Sequence, residues 1–345
     1  MVGRASIRLA SVILLAFVVW VFGLGGEASA HVKWFCAYDV AGQPRGLENV
    51  LCPDFEQLVA VAILTLLAGC LVEGTPVGHA MVRSIDRVTA DLLPNVELMI
   101  RIVCGFFFVS LWAMGGILLT PELKTTMPLV PWLQLAMATC LIWRRTMPLT
   151  ALGIVILFGL AAKEYGAFHL ADYPIFLGVA VYLALRGFDT DLFGWRALDI
   201  MRWSAAITLM WASVEKWAFP QWSFPLFITH PSVTMGFDSE FFMRAAGVVE
   251  FVLAFSLIWT PLVRRFAAII LTAMFVSATF EFGKIDVLGH APIIAVLLAI
   301  IADRGLETER RPHPLFAPAA FAASLALFLA IYYGSHTLLY GAALT

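Results

Sequence analysis

Apolar runs long enough to cross a bilayer recur along this chain, separated by short polar interruptions. A spanning helix needs about 20 mostly apolar residues. On that measure the pattern predicts a leading segment near 9 to 26, then helices near 56 to 72, 96 to 119, 128 to 143, 147 to 162, 173 to 186, 198 to 217, 240 to 260, 265 to 282, 288 to 302 and 315 to 339. The expected fold class is therefore all-α: a polytopic transmembrane bundle of about ten helices behind an N-terminal signal peptide or signal-anchor.

Composition agrees, since 61% hydrophobic and 13% charged residues leave too little polar surface to clothe a soluble particle of 345 residues. The leading segment starts with Arg4 and Arg8 and ends in Ala28-Ser29-Ala30, small residues of the kind a signal peptidase accepts. Cleavage would leave His31 first; retention would make the segment an anchor, and in both cases the chain after residue 30 is exported. The alternation of helices then places Arg83, Arg87, Arg144, Arg145, Arg186, Arg196, Arg202, Arg264, Arg265, Arg304, Arg310 and Arg311 in loops on one side. The opposite side receives all five lysines together with Arg45 and Arg244, spread over several loops. Arginine-rich loops stay cytoplasmic, so the expected location is a bacterial inner membrane with the mature N-terminus in the periplasm. A net charge of −2 gives no bulk field for nucleic acid.

The segments expected are 1–30 (signal), 31–55 (exported loop), 56–94 (first helix and cytoplasmic loop), 95–187 and 196–302 (two four-helix units) and 303–345 (cytoplasmic loop and last helix). The two units start alike, Leu98-Met99-Ile100-Arg101 and Asp199-Ile200-Met201-Arg202, each followed by a helix with a Trp (Trp112, Trp211). A parallel tandem repeat explains this, and chance resemblance among apolar helices is the other reading. Cys36 and Cys52 both fall in the exported loop, where oxidation is permitted, so a disulfide is expected there. The alternatives are two unpaired thiols or a metal pair.

Ionisable residues in or near apolar helices are costly and usually face a bundle interior or a watery cavity. Candidates are Glu215-Lys216 at one helix end, Glu250 about three turns into the next, and the run Glu281 to His290, which contains Lys284 and Asp286. Gly283 and Gly289 suggest that this run is an outward loop. The expected catalytic set is Glu215, Glu250, Glu281, Lys284 and Asp286. Trp211, Lys216 and Trp217 are the candidates for holding a cofactor, with an interfacial aromatic belt as the plainer role of the tryptophans.

His31, His290, Glu281 and Asp286 are the candidate ligands for copper, zinc or iron. A cleaved His31 would add an α-amine chelate; its plainer reading is an interfacial segment, His31-Val32-Lys33-Trp34-Phe35, anchored at the headgroups. No compact metal, nucleotide or haem-attachment motif is present.

The stretch 196 to 302, with Arg202, Ala212-Ser213-Val214-Glu215-Lys216-Trp217, Gly247-Val248-Val249-Glu250 and the run 281 to 290, resembles DoxX-like membrane proteins. The resemblance implies a four-helix unit and a redox-associated membrane role, because some relatives look like subunits of thiosulfate:quinone oxidoreductase and others sit beside thiol or metal redox systems. The expected function is redox or metal handling at a periplasmic-side polar site, with a quinone or metal ion as cofactor. As an enzyme the protein would be a membrane oxidoreductase, with a periplasmic redox protein or other membrane subunits as partners. A cation- or proton-coupled transporter and a non-catalytic assembly scaffold are the alternatives.

Overall fold

The structure, a computed structural model, describes residues 32–305 and 312–341. The expected signal segment, His31, Arg310 and Arg311 lie outside the described residues. Among those described, the fold is all-helical, with only two isolated bridge pairs and no strand. Five helices are long and apolar enough to cross a membrane: Pro53–Glu73, Leu93–Met114, Arg144–Tyr165, Pro261–Ala302 and Phe316–Tyr340. This is the pattern of a multi-pass membrane protein. The shorter Val130–Cys140, Pro174–Phe188 and Ser239–Ser256 and the longer Ala197–Ala218 pack among them.

Local chemistry sets the helix starts. Proline stands in the first turn of Pro53–Glu73, Pro76–Val88, Pro174–Phe188 and Pro261–Ala302, where its missing N–H costs nothing. Asp238 caps Ser239–Ser256 by accepting the Glu240 and Phe241 N–H groups at 2.9 and 3.2 Å.

Two elements differ from expectation. The helix expected to run to 119 stops at Met114, because Gly115 and Gly116 take positive φ and the chain turns into a tight hairpin. Leu118 N–H donates to Leu123 O at 2.7 Å, and Gln134 Nε2 donates to the Ile117 and Leu118 carbonyls at 2.7 and 3.0 Å, so Leu118, Leu119 and Leu123 are fully buried. The run 281–290 is not a loop. It is helical on both sides of one break at Gly283 (φ 76°, ψ −156°), a conformation open essentially to glycine alone.

One end of the bundle is tied by arginines. Arg196 forks onto Asp199 and Asp303, Arg265 donates to the Asp303 carbonyl and to Asp86 at 2.8 Å, and Arg186 and Arg144 converge on Glu97. Arg264 and Arg265 are completely buried, so these residues do structural work beyond marking loops.

Candidate functional site

The opposite end holds a cavity of about 270 Å³. One wall comes from a strap, residues 32–40, that begins with the short helix Val32–Phe35 and contributes Lys33 and Trp34. Lys33 turns inward, only 4% exposed, with Nζ 2.9 Å from Asp172 Oδ2 and 2.7 Å from Glu215 Oε1. The Tyr38 and Trp222 rings flank it with centroids at 5.9 and 5.8 Å. Burial disfavours the ammonium, but the two carboxylates outweigh it and hold the Lys33 pKa above the ordinary lysine value. A buried cation is tolerable only when paired in this way.

Trp34, beside it, lies flat against Gly289: a Cβ at that position would fall 1.8 Å from the indole ring. This close approach requires glycine, and it brings the Trp34 ring to 4.9 Å from His290. Phe275 also packs against the imidazole, its ring centroid 4.7 Å away and tilted by 40°. His290 Nδ1 is 3.0 Å from Asp286 Oδ2, one helical turn earlier and fully buried. An acid in that position orients the imidazole towards the cavity.

Glu215 and Lys216 are neighbours in sequence but do not pair with each other. They project about 100° apart on the Ala197–Ala218 helix; Glu215 takes Lys33, and Lys216 takes Glu250 at 2.7 Å. The cavity is thus lined at one end by Lys33, Asp172, Glu215, Lys216, Glu250 and His290, with Asp286 behind. The lining carboxylates outnumber the lysines, so the site as a whole has room for bound protons. The remaining wall is apolar, from Phe176, Leu209, Met243, Leu271, Phe275 and Ile293. Met274 lines the cavity and is also exposed on its helix, so the cavity reaches the apolar flank of the bundle.

Of the expected residues, Glu215, Lys216, Glu250 and His290 come together, with Asp286 supporting. Glu281 does not join them: it accepts the Ser232 hydroxyl at 2.7 Å and lies 3.4 Å from His230 Nδ1, on the far side of the Gly283 break. Lys284 is exposed. Trp211 packs in the core on Phe168 and Tyr332, and Trp217 packs on Phe55 and Phe251, so neither forms a belt or lines the cavity.

Cys36 and Cys52 are free thiols, and the expected disulfide is absent: Cys52 precedes Pro53 as a helix cap while Cys36 faces the Leu226 backbone. With Glu281 apart from Asp286 and His290, no cluster of three metal-ligating side chains exists among the described residues.

Two site residues lie outside the candidates read from the sequence: Lys33, expected only at the headgroups, and Asp172. Each had a visible sign, a lone charge beside aromatic residues (Lys33-Trp34-Phe35, Asp172-Tyr173). Comparison with known proteins finds no matching family model, curated protein or solved structure.

Proposed function

We propose that the cavity binds a quinone-type ligand from the bilayer and exchanges protons with it, with the arginine-rich end cytoplasmic, the cavity end periplasmic, and about ten helices spanning a bacterial inner membrane. The observation carrying this reading is one pocket that joins an apolar wall reaching the bundle flank to a cluster of paired acids, lysines and a histidine. A quinone needs both: its ring and tail match the phenylalanine and leucine walls, and its oxygens need proton donors.

In the reduction the quinone takes two electrons from a periplasmic redox protein and two protons from the cavity, giving the quinol. His290, oriented by Asp286, and Glu250, balanced by Lys216, line the polar wall that meets the quinone oxygens. This makes the protein a membrane oxidoreductase, in keeping with the DoxX-like resemblance of 196–302. Transport is less well supported, because the interior below the cavity is apolar: Val296, Leu297 and Ile300 are buried between it and the arginine network.

The test is titration of detergent-purified protein with decylubiquinone, read by quenching of Trp34 and Trp222. Saturable quenching in the wild type, weakened at least about tenfold (about 1.4 kcal/mol) in His290→Ala and Glu250→Gln, supports the reading. Absence of saturable binding to a folded wild type overturns it. Elemental analysis of the same sample decides the metal alternative, since stoichiometric copper, zinc or iron would require a different site chemistry.

A further inference from the structure

The hairpin after Met114 carries an acid that the cavity does not expose. Glu122 sits among leucines, 8% exposed, two residues from the exposed Lys124. Its Oε1 accepts the Thr120 hydroxyl at 2.9 Å and the Tyr173 hydroxyl, and both Thr120 and Tyr173 line the cavity. Its Oε2 is buried without a hydrogen-bond partner. A carboxylate with one oxygen unsatisfied in such a place is costly, whereas the neutral acid is tolerated.

We propose that Glu122 and Tyr173 form a proton conduit between the cavity and the aqueous face at the same end of the bundle. The inference rests on the reading of the cavity as a proton-exchanging quinone-type site. The hairpin is held rigidly for this role by Gln134 and by its own hydrogen bonds, so the acid stays within reach of Tyr173. Its outer edge is exposed at Lys124 and Glu164: Tyr165 donates its hydroxyl to Lys124 O at 2.8 Å, and Thr125 donates to Glu164 at 3.3 Å.

One proton moves through without leaving charge on the phenol. As a ligand oxygen takes the Tyr173 proton, the Glu122 carboxyl proton replaces it on Tyr173, and the carboxylate is reprotonated from water at the Lys124 edge. Burial raises the Glu122 pKa, opposed by its hydrogen bonds to Tyr173 and Thr120 and by Lys33. The groups around it are Lys33 and Tyr38 from the strap, Tyr165 from the preceding long helix and Tyr173, with Asp172 and Glu215 beyond Tyr173.

The experiment is infrared spectroscopy of the full chain in liposomes, in H2O and D2O, with and without decylubiquinone. Glu122→Gln and Tyr173→Phe are compared with wild type, and thermal unfolding confirms that each is folded. The expected result is a protonated-carboxyl band at neutral pH that shifts on deuteration, vanishes in Glu122→Gln, and is perturbed by decylubiquinone in wild type but not in Tyr173→Phe. A band unaffected by Glu122→Gln, or one that never exchanges with D2O, overturns the conduit. If decylubiquinone fails to bind while the Glu122 band exchanges normally, the quinone reading falls and the acid's link to water stands.

Discussion

Lys33 is a single cation serving two buried carboxylates, and its removal should cost more than an ordinary ion pair. Lys33→Ala leaves Asp172 and Glu215 facing each other without a counter-charge in a site almost closed to water. Breaking a buried pair in this way costs about 3–5 kcal/mol. Lys33→Ala combined with Asp172→Asn and Glu215→Gln removes the like-charge conflict and should recover most of that loss. Thermal unfolding in detergent of the single and triple variants checks this: equal losses in both would mean that the lysine acts by packing alone.

His169 gives a prediction in pH. It is 2% exposed, its Nε2 has no hydrogen-bond partner, and three tyrosines (Tyr38, Tyr165, Tyr173) surround the ring. Burial first, and Lys33 second, lower its pKa to about 4, with Asp172 opposing. The unfolded chain therefore binds this proton more readily than the folded one. Stability from His169 is present above about pH 6.5 and is lost as pH falls from there towards 4, by up to about 3 kcal/mol. His169→Asn should remove that part of the acid sensitivity, seen as a flatter unfolding temperature between pH 6.5 and 4; an unchanged slope would mean that other groups set it.

At the scale of elements, the break at Gly283 separates two outcomes that one continuous helix could not give. It lets Glu281 turn to Ser232 and His230 while Asp286 and His290 turn to the cavity. A Cβ there meets a φ of 76° with ψ of −156°, and such strain costs about 1–3 kcal/mol. Gly283→Ala should lower stability by that amount and weaken decylubiquinone binding, measured together in one thermal and one fluorescence series; full stability with full affinity would show that the break is not needed.

The helices were legible in part: apolar runs set the approximate ends of those between 147 and 256 and of the last one to within a few residues, while Pro76–Val88 falls where a loop was expected. The hairpin after Met114 was not legible, since it depends on backbone conformations that Gly115 and Gly116 permit without announcing; the turn at Gly283 was, but not that it takes one residue and leaves 284–290 helical. The site was half legible. An acid in an apolar helix such as Glu250 stands out by its cost, while the pairing of Glu215 with Lys33, 182 positions away in the chain, follows only from packing.

For the whole molecule, charge is divided between two ends in different forms. The arginine end is a network of forked ion pairs that locks helix ends together, whereas the cavity itself holds lysines, Lys33 on two acids and Lys216 on one, with the Arg45–Glu240 fork outside it. Guanidinium groups fork onto carboxylates and stay charged at any physiological pH, so they suit a permanent clasp; lysine and carboxylate can change charge when a ligand or proton arrives. The same division is the ground for the proposed orientation, since arginine-rich loops resist translocation.

The test uses two exposed positions at opposite ends, Lys124 and Arg145, each replaced in turn in a chain whose five native cysteines are changed to serine or alanine. In intact spheroplasts an impermeant maleimide should label Lys124→Cys and leave Arg145→Cys untouched until the membrane is opened. The reverse pattern would put the cavity on the cytoplasmic side. The proton conduit would then deliver protons from the cytoplasm, and the redox partner would have to be sought there.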